Sequence, residues 1–293
     1  MNSAGRSFVL FTLWTLLSAV GPLTTTPCSA LSPYQDNSVT LKDSKSDHQV
    51  ALWVMPSTVQ DFTMTVDMKV TNMTVTPQAP YTFDVRDSAK NLTAPRAVLQ
   101  AQQAEPDEAW RYNFEYHYKI GARGGRPDPK VVYTLPYPTG RSIKINQGYF
   151  GTTSHYTGSQ DEYALDFDLR DGDLICAARE GTVVAVRQDS NVGGMDKNLY
   201  EHAANYVVVR HADGTYASYL HIQYNGARVR VGQYVARGTV LGLTGGTGLA
   251  SKPHLHFDVS VPIDGNKRQT FPIKFKTATG VQDLVQGMTY TAE

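Results

Sequence analysis

The sequence predicts a mainly β protein: a small N-terminal β-sandwich-like domain followed by a domain built on an antiparallel β-sheet. Three observations carry this. Short runs alternating apolar and polar residues recur along the chain, as strands with one buried face require. Gly, Pro and Asp-Gly turn signals separate them. Helical periodicity is confined to a weak pattern around Ala94–Ala104.

Read in order, the chain opens with a short positive stretch, Met1 to Arg6, and an apolar run, Phe8 to Leu23. Cys28-Ser29-Ala30 follows as a small-residue cleavage site, so residues 1–30 read as a signal peptide and the protein as exported, to a periplasm or the exterior. With its apolar run removed at Ala30, the mature chain has no expected transmembrane segment. Export leaves a single cysteine, Cys176, inside the apolar run 174–178, where a buried structural role fits best.

Residues 31–128 form the first domain. Thr63–Val70, Thr82–Val85 and Tyr112–Ile120 alternate over strand lengths. Gly121-Ala122-Arg123-Gly124-Gly125-Arg126-Pro127-Asp128-Pro129 reads as a linker, flexible and then stiff. Residues 129–293 form the second domain, with a core at about 136–261. Thr182–Val186, Tyr206–Arg210, Tyr216–His221, Val229–Val231 and Thr239–Leu243 read as strands. Asp213-Gly214 is a hairpin turn signal. The polar stretch Gln188–Ala204 is a long connection of the kind that rims binding sites.

Composition narrows the function classes. With 27 basic and 27 acidic residues the net charge is zero, which provides no field to recruit nucleic acid. At 293 residues the chain is long enough for two cores. Sequons occur at Asn72 and Asn91 and matter only in a host that glycosylates exported proteins.

The densest chemical signal is Pro253-His254-Leu255-His256-Phe257. On a strand, His254 and His256 present two imidazoles on one face. His155 and His221 lie upstream, and Asp166 sits among apolar residues in Tyr163-Ala164-Leu165-Asp166-Phe167, where a carboxylate is costly unless paired or metal-bound. Two imidazoles, a carboxylate and an open fourth position make a catalytic zinc shell, although hydrogen-bonded structural histidines give the same pattern.

From about Pro136 to Val261 the chain resembles the lysostaphin/LytM-type zinc metallopeptidases, the peptidoglycan-cleaving endopeptidases. The resemblance rests on Ser154-His155, Tyr163–Phe167, Ala177–Val183, Asn205–Tyr216, Tyr219-Leu220-His221, Val231–Val235, Gly242, Gly245, Thr247-Gly248 and Pro253–Phe257. It implies a lysostaphin-type β-sheet catalytic domain holding one zinc per chain on His155, Asp166 and His256. It implies His254 and His221 beside the open coordination position, handling the proton of the attacking water. The implied substrate is the peptide part of peptidoglycan, with crosslinks joining stem peptides favoured over pentaglycine bridges.

Many relatives place their first ligands as H-x-x-x-D, but Glu162 stands four residues before Asp166. The resemblance favours His155, eleven residues upstream, because a subset of the family has this longer spacing, with Ser-His before Tyr-Ala-x-Asp-Phe, and ligands from a loop and a strand can converge whatever their spacing. Asp168 is a minor competitor, and Asp161 and Asp168 are expected to be solvated. His211 is expected to be structural, His48, His117 and His202 peripheral, and Asn205 and Tyr219 in contact with substrate or with groups that support the site residues. The alternative function is a catalytically inactive wall-binding or amidase-activating member of the same fold.

Overall fold

The computed structural model describes residues 38–55, 57, 59–86 and 95–293. The proposed signal peptide and the Asn91 sequon lie outside the described residues.

The first part contains β1 (Leu41–Lys45), β2 (Gln49–Val54), β3 (Phe62–Thr71), β4 (Met73–Thr76), β5 (Tyr81–Val85), β6 (Arg96–Gln103) and β7 (Arg111–Ile120). They form two antiparallel sheets, β1-β2-β6-β4 and β5-β3-β7, around a core that includes Leu52, Phe62, Met64, Val66 and Leu99. β6 replaces the weak helical pattern expected at Ala94–Ala104. Leu99 and Ala101 turn inward while Gln100 and Gln102 pair along β2 and β4, so ladder pairing overrides local helix propensity.

The second part is organised on one large sheet. Its strands are β9 (Ser142–Gln147), β10 (Leu165–Phe167), β12 (Gly181–Arg187), β14 (Tyr206–Arg210), β15 (Tyr216–Leu220), β17 (Tyr234–Val235), β20 (Leu255–Pro262), β21 (Arg268–Thr270) and β24 (Thr289–Thr291). The order is β17-β12-β14-β15-β20-β10-β9-β24, with β21 added to β20. Smaller sheets join β11 (Leu174–Cys176), β18 (Val240–Thr244) and β16 (Ile222–Ala227), and β23 (Gly280–Gln282), β22 (Lys274–Thr277) and β8 (Val132–Thr134). Within the long 188–204 connection, β13 (Gly193–Gly194) pairs with β19 (Gly248–Leu249), and a short helix α1 (Lys197–Tyr200) is capped by Asp196. The expected strand at Val229–Val231 does not form. Those residues lead into the Gly232 turn (φ +83°), where Gln233 N donates to Arg230 O, and β16 pairs with β18 instead.

Both faces of the large sheet are used. Val207, Val209, Ala217, Tyr219, Leu255, Phe257, Leu165 and Phe167 point into the core of the second part. The alternate residues Val184, Ala185, Val208 and Tyr216 join the core of the first part. The first part therefore covers one end of the opposite face, and the rest of that face carries the polar groups described below.

The 121–129 segment, expected to be flexible at its start, is fastened down. Gly121 N donates to Asp61 O, Arg126 N donates to Asp213 O, and a Cβ on Gly125 would stand 2.0 Å from Gly214 O. Nearby, the fully buried carboxylate of Asp61 accepts from Arg210 at 2.7 Å and from the Tyr216 hydroxyl at 3.0 Å.

Candidate metal centre

Strand register builds the site. Tyr206 pairs with Leu220, Leu220 with His256, His256 with Asp166, and Asp166 with Gln147, so one row crosses β14, β15, β20, β10 and β9. Directly paired residues share a face, which places His256 and Asp166 side by side opposite the Phe257–Phe167 core. His256 Nδ1 lies 3.0 Å from Asp166 Oδ1.

Gln147 ends that row and holds the next loop. Its Oε1 accepts from Thr153 N and Ser154 N, while its Nε2 donates to Ser154 Oγ at 2.7 Å and Asp166 Oδ2 at 3.3 Å. The loop so pinned carries His155, fully buried, into the site, with Nε2 at 3.6 Å from Asp166 Oδ1. His155 and His256 stand edge to face at 5.1 Å.

His254 and His221 complete the cluster. Their ring centroids are 4.4 Å apart, and His254 Nε2 is 3.8 Å from Asp166 Oδ1. His221 has φ +65°, a left-handed conformation uncommon outside glycine and typical of strained functional positions. His155 Nδ1 faces Gly148 O at 3.3 Å, His221 Nδ1 faces Thr247 O at 2.7 Å, and His254 Nδ1 faces Lys252 O at 2.9 Å. A carbonyl only accepts, so each Nδ1 carries the proton, and in the neutral ring each Nε2 keeps its lone pair.

The electrostatics describe a site short of positive charge. Burial opposes ionisation of Asp166, but the hydrogen bond from His256 and three nearby imidazoles hold its carboxyl down at about 2. Burial opposes a proton on His256, yet Asp166 and Asp258 raise it to about 10. Burial, with His254 and His256 beside it, pushes His221 down to about 3. His155 is likewise lowered by burial and by His256.

The donor atoms of His155, Asp166 and His256 all lie within 4.8 Å of one another, and His155 Nε2 is a buried atom with no hydrogen-bond partner. A nitrogen, oxygen, nitrogen set with an orphaned lone pair fits a borderline divalent ion such as zinc. A second trio, Asp161, His256 and Asp258, is also close enough to hold a metal. There the Arg268 guanidinium already bridges Asp161 and Asp258, so its cation is built in.

The other sequence candidates fall elsewhere. Glu162 accepts from Gly158 N at 2.7 Å and belongs to neither trio. Asp168 pairs with Lys252 at 2.6 Å. Asp161, expected to be solvated, is instead bound to Arg268 and lies 3.9 Å from His256 Nε2. Asn205 is fully buried and ties Ser190, Ile222 and Thr247 together, while the buried Tyr219 hydroxyl accepts from Ala178 N. Asn205 thus supports Thr247, whose carbonyl accepts from His221 Nδ1, whereas Tyr219 belongs to the core. Cys176 is buried, and burial raises its thiol pKa. Gln147, Asp258 and Arg268 were missed by sequence reasoning. Only Asp258 left a signal there, as a carboxylate two residues beyond His256 on the same strand face.

His211 donates from Nδ1 to Glu180 O at 2.8 Å, and burial pushes it down to about 4. Between that value and the ordinary 6.5 the unfolded chain binds a proton that the folded chain does not. His211 therefore costs no stability above 6.5, and stability is lost as pH falls toward 4. Denaturant unfolding at pH 7 and pH 4.5 should show His211→Gln losing about 2–3 kcal/mol less than wild type on acidification. An equal loss would contradict this account.

Residues 160–270 match the model of Peptidase family M23. Over that stretch the chain is similar to Peptidase family M23. His155 lies five residues before the matched stretch and enters the site through the Gln147-held loop. Lysostaphin of Staphylococcus simulans is 28% identical over 187 residues, 63% of this chain and 29% of its own length. The peptidoglycan DD-endopeptidase ShyA of Vibrio cholerae is 33% identical over 96 residues, 33% of this chain and 19% of its own. The chain thus spans less than a third of either relative. Among solved structures, the lysostaphin catalytic domain from Staphylococcus simulans is 24% identical, covering 44% of this chain and 87% of that one, with a TM-score of 0.31.

Proposed function

We propose that this protein is an exported zinc metalloendopeptidase that hydrolyses peptide crosslinks of bacterial peptidoglycan. The observation that carries the reading is the convergence of five polar side chains, His155, Asp166, His221, His254 and His256, from four separate segments onto one face of the sheet. The M23 match and the peptidoglycan endopeptidases among the relatives supply the substrate class.

His155 Nε2, Asp166 and His256 Nδ1 would hold the zinc, which supplies Lewis acidity to polarise a peptide carbonyl and acidify water. Gln147 fixes the Asp166 carboxylate and the His155 loop together. His221 and His254 each present a free Nε2 lone pair to the open side of the cluster, so each can accept a proton from the attacking water. Once protonated, the same nitrogen can donate to the developing oxyanion or to the leaving amine. Beside them a cavity of about 240 Å³ is lined by Asp171, Asn191, Gly193, Gln223, Tyr224 and Thr247, and it offers a continuation for the bound peptide.

The test is metal analysis combined with digestion of purified cell walls. About one zinc per chain is expected, with solubilisation of walls that stops on chelation and returns with zinc. Wall digestion at full rate by metal-free protein would end this reading. A zinc-loaded protein that binds walls without releasing crosslinked peptides would identify the inactive member of the fold.

A further inference from the structure

His256 has two ring nitrogens facing two different carboxylate groups. Nδ1 faces Asp166, whereas Nε2 faces Asp258 Oδ2 at 3.7 Å and Asp161 Oδ1 at 3.9 Å. Neither of the longer approaches is a hydrogen bond, and Nε2 has no other partner. Asp258 is fully buried, two residues along β20 from His256 and on the same face. Arg268 Nη1 donates to Asp258 Oδ2 at 2.7 Å while Nη2 donates to Asp161. A buried ion set of this kind gains little stability over an apolar replacement, so its presence beside the metal centre calls for another explanation.

Arg268 is itself anchored from outside the stretch that matches M23. It follows the tight turn 263–267, in which Gly265 N donates to Thr65 Oγ1 on β3 at 2.9 Å. A Cβ at Gly265 would stand 2.2 Å from His117 O on β7, so the turn is pressed onto the N-terminal sheet.

We infer that Asp258, clamped by Arg268, is a positioning residue that takes the Nε2–H of His256 and thereby presents Nδ1 to the metal. The N-terminal domain supports this clamp by holding the turn that delivers Arg268. A carboxylate behind a ligating imidazole fixes its tautomer and ring orientation and raises its basicity. Asp161 shares the guanidinium and leaves Arg268 no freedom to swing toward the zinc.

This inference rests on His256 being a zinc ligand, and the experiment separates the two. Zinc dissociation constants are measured by chelator competition on wild type, Asp258→Asn and Asp61→Asn, alongside thermal unfolding of the metal-free proteins. Asp61 is an equally buried, ion-paired carboxylate that does not touch the histidines. Asp258→Asn is expected to weaken zinc by about 10–100-fold, and Asp61→Asn to lower stability with zinc affinity unchanged. Nitrogen-15 spectra of the zinc-loaded protein should show His256 protonated at Nε2. Should Asp258→Asn fail to fold, Arg268→Lys, which keeps a cation but gives up the fork, is expected to weaken zinc several-fold. Wild-type zinc affinity in the folded variant, or zinc found on Nε2, overturns the clamp while leaving the zinc reading intact. A wild-type protein that binds no zinc overturns both.

Discussion

His155→Ala should strip the protein of zinc and abolish wall digestion, whereas Glu162→Gln should leave both nearly intact. Zinc sites of four protein ligands bind with about 10–16 kcal/mol, so one ligand contributes about 3–4 kcal/mol, or about 10²–10³-fold in affinity. His155 is fully buried, points Nε2 at Asp166, and has no other use for that nitrogen. Glu162 spends its carboxylate on Gly158 N at the loop surface, so loss of its charge affects the loop and not the cluster. Zinc content after dialysis against a weak chelator decides the assignment. Retention by His155→Ala with loss by Glu162→Gln would reverse it.

Legibility in the sequence tracked how local the cause of each feature was. Alternation in Leu255–Val261 placed His254 and His256 on one face because strand geometry needs no partner to be read. The same alternation carries Asp258 onto that face, and the signal was there to use. The sandwich-like first part and the antiparallel second part were legible from alternating runs, and the strand–turn–strand around Asp213-Gly214 formed as expected. What escaped came from distant chain. Gln147 acts across the turn to Ser154, and Arg268 reaches Asp258 across the β20–β21 pair, and neither partner choice is written in spacing. The attachment of the first part to the sheet left a faint trace in Tyr206-Val207-Val208-Val209. That run is apolar on both faces, as a strand buried from both sides must be. The weak helical pattern at Ala94–Ala104 misled because its Ala, Leu and Gln residues favour helices until a neighbouring strand claims them.

His221→Ala and His254→Ala should each keep zinc and lose activity by about 10²–10⁴-fold, the contribution of a positioned acid–base group, equivalent to about 3–5 kcal/mol of barrier. The trio whose donor atoms lie within 4.8 Å of one another is His155, Asp166 and His256, while the His221 ring packs against His254 beside it. Three protein ligands leave the fourth position of a catalytic zinc to water, so His254 and His221 have a place beside that water but none on the metal. Each ring is locked by donating its Nδ1–H to a carbonyl, Lys252 O for His254 and Thr247 O for His221. Asn at either position could keep a donor for that carbonyl but has no ring nitrogen to accept the proton, so it should not restore the rate. At His221 the strained backbone (φ +65°) adds a second expectation: His221→Gly should be better tolerated structurally than His221→Ala, yet equally inactive. Zinc stoichiometry and wall-digestion rate, measured on the same preparations, distinguish the two roles. Loss of zinc in either variant makes that histidine a ligand, and full activity with zinc retained in both removes the acid–base role.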